Sequence, residues 1–390
     1  MDLEELDAPT PLLGGLSPRR FMRRHWHKRP LRVCGAWPGV EPPADFAALK
    51  ALAARDDVES RLVQRAVDGR WRLRHGPLPV RALPPRRRPG WTLLVQGLDL
   101  HVPAAHAMLQ RFAFVPHARL DDLMVSWASD GGGVGPHLDS YDVFLLQVQG
   151  RRRWQIGRVA EPEWQTGTPL RLLQRFEPEH DWVLEPGDLL YLPPGWGHEG
   201  SAVGGECMTV SIGFRAPARD ELARELLARL AEDLPDDPLR YADPAQRAAA
   251  HPGALPDGLV DFALAALARA QRSPRALRGV LGEWLSEPKP QVWFDPAPPS
   301  RPPRARGPTA PRGVRLDARS RMLYDGDQLF LNGESWRVGG TDRHVLQRLA
   351  DRRRLDAADR VRLGAEAAAT LDEWLAAGWL HEEPAHADER

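Results

Sequence analysis

Cysteine is scarce in this chain: Cys34 and Cys207 are the only two in 390 residues. Two thiols cannot make a disulfide framework or a four-thiolate zinc site, so both are expected to be buried structural thiols. No apolar run is long enough for a membrane span. Met1-Asp2-Leu3-Glu4-Glu5 is acidic where a secretory leader is basic. Net charge is missing as well, since 53 Lys and Arg balance 53 Asp and Glu. Such a chain has no global field to hold nucleic acid, and any such contact needs a local patch. These absences argue against secretion, membrane insertion and wholesale electrostatic binding, and leave a soluble cytoplasmic protein as the expectation. Its length calls for two or three domains, and a 42% hydrophobic content is enough to give them cores.

The first 95 residues are mixed. Phe21 to Trp26 reads as a short helix with aromatic anchors, Lys28 to Val33 as the entry to a strand, since Pro30 disfavours helix before it, and Asp45 to Ala54 as a helix. Pro77 to Pro89 is a loop, because its prolines break any regular element. From residue 91 the pattern turns to short β-rich runs bounded by Gly, Pro or Asp. They are Trp91–Gln96, Leu123–Trp127, Val143–Val148, Trp154–Ile156, Leu189–Leu192 and Met208–Phe214. Short strands with turn signals point to a sandwich or barrel of the jelly-roll kind. After Phe214 the chain becomes helical. Leu222, Leu226 and Leu230 follow at four-residue steps, and helices are expected over Leu259–Ala270 and Leu277–Leu285. Seven prolines between 296 and 312 mark a linker. Beyond it, Arg321–Tyr324 and Gln328–Leu331 flank Asp325-Gly326-Asp327 as a hairpin. With the strand Ser335–Val338 and helices His344–Ala350 and Ala367–Ala377, this tail resembles a winged helix. Its charges are mixed in sign, which favours a protein-interaction module over a DNA-binding one.

One stretch carries chemistry: Gly131-Gly132-Gly133-Val134-Gly135-Pro136-His137-Leu138-Asp139. In an extended segment residues two apart share a face, so His137 and Asp139 project side by side. A second histidine, His198, follows Glu185-Pro186-Gly187-Asp188-Leu189-Leu190-Tyr191-Leu192-Pro193-Pro194-Gly195-Trp196-Gly197. A turn launches a strand there, and Pro-Pro-Gly ends it just before His198. Two imidazoles and one carboxylate on one face make the facial triad of non-haem Fe(II) oxygenases, and Mn, Co, Ni or Zn can also occupy such a site. Three protein ligands leave positions for a bidentate oxo-acid and dioxygen. A dicarboxylic oxo-acid needs a cation for its far carboxylate, since that charge is costly to bury unpaired. Arg151-Arg152-Arg153 supplies one: faces alternate along a strand, so Arg152 turns inward while its neighbours turn out.

These segments, with Tyr141-Asp142 after the first, Gly150 to Trp154, and Ser211-Ile212-Gly213-Phe214-Arg215-Ala216-Pro217, resemble the bacterial JmjC-type ribosomal oxygenases. The likeness is dense from about residue 91 to 217. It implies an α+β chain with a double-stranded β-helix (jelly-roll, JmjC/cupin) core, a helical dimerisation segment and a C-terminal winged-helix-like domain. On that division 1–217 is catalytic with an N-terminal helical lead-in, 218–295 is the dimerisation segment, 296–312 a Pro-rich linker and 313–390 the winged-helix-like domain.

The resemblance also implies an activity: Fe(II)- and 2-oxoglutarate-dependent hydroxylation, with O2, of an arginine side chain in a large-subunit ribosomal protein. The enzyme would be a homodimer, without membrane or direct nucleic-acid partners. His137, Asp139 and His198 then correspond to the metal ligands and catalytic centre, and Arg152 to the arginine that binds 2-oxoglutarate. The family pattern has a serine where this chain has Ala128, with Ser126 and Ser129 nearby, and an asparagine where it has Thr209. Ser126 and Thr209 are therefore the further cosubstrate contacts to expect. Asp130 is placed to meet a substrate guanidinium at the mouth, and Tyr141 to stack on it. Two other readings compete. The same scaffold could oxidise His, Lys or Asn of a protein. Alternatively, a cupin sensor could act on DNA through the C-terminal domain, with the arginines near 301–321 and 352–354.

Overall fold

A computed structural model describes residues 3–232, 234, 236–244, 247, 253, 255–270, 274–296 and 312–383. The Pro-rich linker, apart from its ends, lies outside the described residues. In chain order the N-terminal part holds α1 (Leu3–Asp7), α2 (Pro18–Arg24), β1 (Leu31–Val33), α3 (Phe46–Ala53), β2 (Ser60–Arg65), β3 (Trp71–His75), β4 (Trp91–Val95), α4 (Pro103–Gln110), β5 (Leu120–Ala128), β6 (His137–Leu138), β7 (Val143–Gln149), β8 (Arg152–Arg158), β9 (His180–Leu184), β10 (Leu189–Leu192), β11 (Trp196–Ala202) and β12 (Cys207–Phe214). They form an eight-stranded sheet in the order β1-β10-β7-β12-β5-β4-β2-β3 and a four-stranded sheet in the order β6-β11-β8-β9. The strand pairs of both sheets are antiparallel. This is the expected jelly roll.

The central strands of the large sheet are buried on both faces, and the two-residue period assigns each face a task. Trp91 and Leu93 of β4, Leu123, Val125 and Trp127 of β5, Phe144, Leu146 and Val148 of β7, and Met208, Val210, Ile212 and Phe214 of β12 share one core with Phe21, Leu49 and Phe112 from the helical elements. The alternate residues face the interior of the sandwich. One part of that interior is apolar, built on Val143, Leu145, Trp154, Ile156, Leu190 and Trp196. Elsewhere the inward positions are Asp122, Ser126, Gln147, Thr209 and Ser211, all buried. Five polar side chains facing inward in an otherwise apolar sandwich mark where the chemistry sits.

The sequence reading names no strand between Ala54 and Pro77, yet Arg-rich β2 and β3 lie there and extend the large sheet, β2 pairing with β4 and β3 with β2. His198 does not follow the end of the Leu189–Leu192 strand: it lies inside a separate strand, β11, of the other sheet. Pro193-Pro194-Gly195 carries the chain from one sheet to the other. Cys207 is buried as expected, whereas Cys34 is exposed.

Past the sandwich come α5 (Arg219–Glu232), α6 (Asp257–Ala270) and α7 (Pro274–Ser286). Leu222, Leu226 and Leu230 are half-buried, while Leu259, Val260, Leu264 and Leu267 of α6 are exposed. The C-terminal part holds β13 (Val314–Leu316), the three-stranded meander β14 (Met322–Asp325), β15 (Gln328–Leu331) and β16 (Glu334–Arg337), then α8 (Gly340–Arg352), β17 (Arg354–Leu355), α9 (Ala357–Val361), α10 (Ala365–Ala376) and β18 (Leu380–Glu382). Helix α7 packs on this meander. A Cβ on its Gly282 would lie 2.4 Å from the Phe330 ring, so only glycine allows that approach.

Candidate metal and cosubstrate site

The first ligand pair is set by backbone geometry. Gly135 takes a left-handed φ of +78°, and a Cβ there would come within 2.9 Å of Leu172 and Trp71. The turn it makes feeds β6, where His137 pairs directly with His198 of β11. The two imidazole centroids are 4.2 Å apart. His198 Nε2 lies 3.5 Å from Asp139 Oδ2. One ligand atom from each of His137, Asp139 and His198 falls within 4.8 Å of the others.

Both imidazoles are held in a ligand-ready form. Nδ1 of His137 donates to the Gly135 carbonyl at 2.9 Å, and Nδ1 of His198 to the Trp196 carbonyl at 3.1 Å. A carbonyl oxygen only accepts, so the proton sits on Nδ1 and the Nε2 lone pair is free. Burial, with help from His137, holds the pKa of His198 below its usual value and keeps it neutral. Two neutral imidazoles and a carboxylate fit a divalent first-row metal.

Arg152 sits on the neighbouring strand and is only 2% exposed, while Arg151 and Arg153 are exposed. Its guanidinium donates to Ser126 Oγ at 3.0 Å, Thr209 Oγ1 at 3.4 Å and the Gly200 carbonyl at 3.3 Å, and lies 5.0 Å from the Trp154 ring centroid. Thr209 Oγ1 in turn donates to Gln147 Oε1 at 2.8 Å. Ser126 and Thr209 are cross-strand partners, so one register places both hydroxyls under the arginine. Among the described residues Arg152 has no carboxylate partner, and its Nε makes no hydrogen bond. Burial pulls its pKa down. A buried cation without an anion costs several kcal/mol, a deficit that a bound carboxylate would remove. The residues around Arg152 therefore fit the far carboxylate of a dicarboxylate cosubstrate.

Triad and arginine line one cavity of about 350 Å³. Its far side holds Asp122, Tyr141, Ser211 and Gly213. Tyr141 thus lines the same cavity as the triad. Burial and the nearby Asp139 raise its phenol pKa, which keeps it neutral. Asp130 does not lie there. It is exposed, two residues past the opposite end of β5, and its carboxylate accepts the Gly205 amide at 3.1 Å. This is a turn-capping role. Ser129 is likewise taken up, bonded to the backbone of Trp91. The sequence reading misses Gln147 and Asp122. Asp122 is 3% exposed, and its Oδ2 accepts from Lys289 Nζ at 2.7 Å. The one available signal for Asp122 is its even-numbered place in β5, in step with Met124 and Ser126 on the inward face.

A jelly roll with a His-x-Asp…His triad, a buried unpaired arginine and a polar cavity defines a protein of the JmjC/cupin oxygenase class. The JmjC domain family matches residues 107–222, and the ROXA-like winged helix family matches residues 266–381. The chain is 35% identical over 338 residues to the ribosomal protein uL16 3-hydroxylase of Escherichia coli, spanning 85% of this chain and 87% of that one. It is 36% identical over 208 residues to a probable ribosomal oxygenase of Haemophilus influenzae, 52% of this chain and 50% of that one. The crystal structure of E. coli YcfD superimposes with a TM-score of 0.81 at 32% identity, covering 93% of this chain and 97% of that one. Similar coverage and a TM-score of 0.77 relate it to YcfD, a ribosomal oxygenase, in complex with cobalt and 2-oxoglutarate. The chain belongs to the ribosomal oxygenase family.

Proposed function

We propose that this protein is a 2-oxoglutarate-dependent dioxygenase that hydroxylates an arginine side chain of a large-subunit ribosomal protein. The observation that carries the reading is the order of charges along one cavity: buried cation, metal triad, buried anion. His137, Asp139 and His198 would hold Fe(II), which with O2 and 2-oxoglutarate supplies the oxidising chemistry. One oxygen atom goes to succinate and one to the target, with loss of carbon dioxide. The chain's own residues do the rest. Arg152, oriented by Ser126, Thr209 and Gln147, meets the far carboxylate of 2-oxoglutarate. The Trp154 ring backs the guanidinium at 5.0 Å. Carbonyls of Gly135 and Trp196 fix the proton of each histidine on Nδ1, so the ligand nitrogens stay free.

At the other end the buried carboxylate of Asp122 and the neutral ring of Tyr141 favour a cationic, planar side chain, which supports arginine over histidine or asparagine as the target. The E. coli relative bears the name of uL16, which makes that protein the first target to test, and a ribosomal target implies work in the cytoplasm. Among the described residues no helix is long and apolar enough to cross a membrane. Exposed Val260, Leu264 and Leu267 recur at helical spacing along α6, which supports a dimer formed through the 218–295 segment, with 313–390 as a winged-helix-like domain after it. The test is peptide mapping of ribosomal proteins incubated with the enzyme, Fe(II), ascorbate and 2-oxoglutarate. One added oxygen on a single arginine supports the reading. Oxidation confined to a histidine, lysine or asparagine overturns the arginine assignment.

A further inference from the structure

The carboxylate of Asp122 has two oxygens in two different surroundings. Oδ2 accepts from Lys289 Nζ at 2.7 Å. Oδ1 faces a gap at Gly213, where an added Cβ would meet it at 3.7 Å and the Tyr141 ring at 4.0 Å. Lys289 does not belong to the sandwich. It follows α7, on the segment that leads to the winged-helix strands, and returns 167 residues along the chain to reach β5.

We propose that Lys289 is a positioning residue of the substrate pocket: it pins one oxygen of Asp122 and leaves the other to receive the target's guanidinium. The inference rests on the reading of Asp122 as the partner of the substrate cation. A carboxylate turns about a broad two-fold torsion, so an untethered Asp122 would present its oxygens in many orientations. A lysine ammonium is a compact point charge and can neutralise one oxygen without covering both, which an arginine fork would do. Lys289 is itself tethered. Asp121 Oδ1 lies 3.5 Å from its Nζ, and Asp121 is flanked by Arg215 at 3.7 Å, while its carbonyl accepts from Arg321 at 3.0 Å. The lysine side chain is 16% exposed. Burial works against its charge, but Asp122 and Asp121 outweigh that and raise its pKa, so it stays charged.

In consequence the segment after α7 supports the pocket from outside: Lys289 does not line the cavity but holds a carboxylate that does. The test uses the full chain and uL16 as probe. Lys289→Met is expected to raise the target KM about tenfold while the 2-oxoglutarate KM moves less than about twofold, because the charge-assisted bond it weakens stands at one end of the cavity only. In the Asp122→Asn background the same substitution should add nothing, since Lys289 acts through that carboxylate. Should Lys289→Met fail to fold, Lys289→Gln keeps a donor without the charge and is expected to raise the target KM about threefold. A target KM within twofold of the parent, or losses that multiply in the double variant, overturns the role of Lys289. A parent protein that consumes 2-oxoglutarate yet modifies no arginine target overturns the underlying reading of Asp122 as well.

Discussion

Arg152→Met separates a binding role from a structural one, because the two predict opposite signs. The buried guanidinium lies 3.0 Å from Ser126 Oγ, 3.4 Å from Thr209 Oγ1 and near no carboxylate among the described residues. With 2-oxoglutarate bound, its loss removes a buried charge-assisted pair, a change of about 2–4 kcal/mol. At about 1.4 kcal/mol per tenfold, the 2-oxoglutarate KM should rise roughly 30- to 700-fold. Without cosubstrate the sign reverses. Methionine fills similar volume, and its introduction removes a buried charge that has no counter-ion, so the ligand-free protein should be no less stable. Thr209 keeps its bond to Gln147, which limits the damage around the site. The assay is succinate release against 2-oxoglutarate concentration, beside urea unfolding of the ligand-free protein. A KM change below threefold would mean that Arg152 does not bind the cosubstrate and would leave Arg61 or Arg171, which line the same cavity, as the cation. A clear fall in unfolding midpoint would assign Arg152 to the fold instead.

Gly213→Val should raise the target KM tenfold or more with little change in the 2-oxoglutarate KM, because its side chain fills the gap between Asp122 and Tyr141; steady-state kinetics with both substrates checks it. Asp99 is 3% exposed, and burial followed by the nearby Asp122 raises its pKa to about 6. The folded state then holds more protons than the unfolded one from the ordinary carboxylate range up to about pH 6, so Asp99 makes stability fall as pH rises through that window. Asp99→Asn, which can still accept the Leu123 amide, should therefore gain roughly 2–4 kcal/mol on the parent between pH 4 and 7.5, read from urea midpoints across that range. Leu264→Glu with Leu267→Glu should convert the proposed dimer to monomer in sedimentation at micromolar concentration, with activity per chain as the control for folding.

The cluster of His137, Asp139 and His198 is legible in the sequence because its signals are local. His137-Leu138-Asp139 needs only the strand period, and its glycine-rich lead-in shows the turn. The inward turn of Arg152 follows from the same alternation. Legibility ends where a residue acts through partners distant in the chain. Gln147 looks like any strand residue until β12 brings Thr209 against it. Asp122 stands in Leu120-Asp121-Asp122-Leu123, which reads as a polar boundary before a strand, and only burial shows it as part of the pocket wall. Asp130 misleads for the same reason: its place beside the glycines looks functional, but the backbone of Gly205 claims it. Strand β11 hides because Trp196-Gly197-His198-Glu199-Gly200-Ser201-Ala202 has weak strand propensity. The glycines are there for close approach, since a Cβ at Gly200 would lie 2.6 Å from the Trp154 ring and 2.8 Å from Arg152 Nε.

On the proposed function, the triad and Arg152 together drive 2-oxoglutarate-coupled oxygen transfer to an arginine. Mass spectrometry of uL16 after incubation with the enzyme, Fe(II), 2-oxoglutarate and isotopically heavy dioxygen tests it most directly, with His137→Ala alongside. One heavy oxygen on a single arginine, absent without 2-oxoglutarate and absent with His137→Ala, is the expected result. Heavy oxygen on that arginine at full yield with His137→Ala would remove His137 from the chemistry, and none with the parent enzyme while it consumes 2-oxoglutarate would rule out an arginine of uL16 as the target.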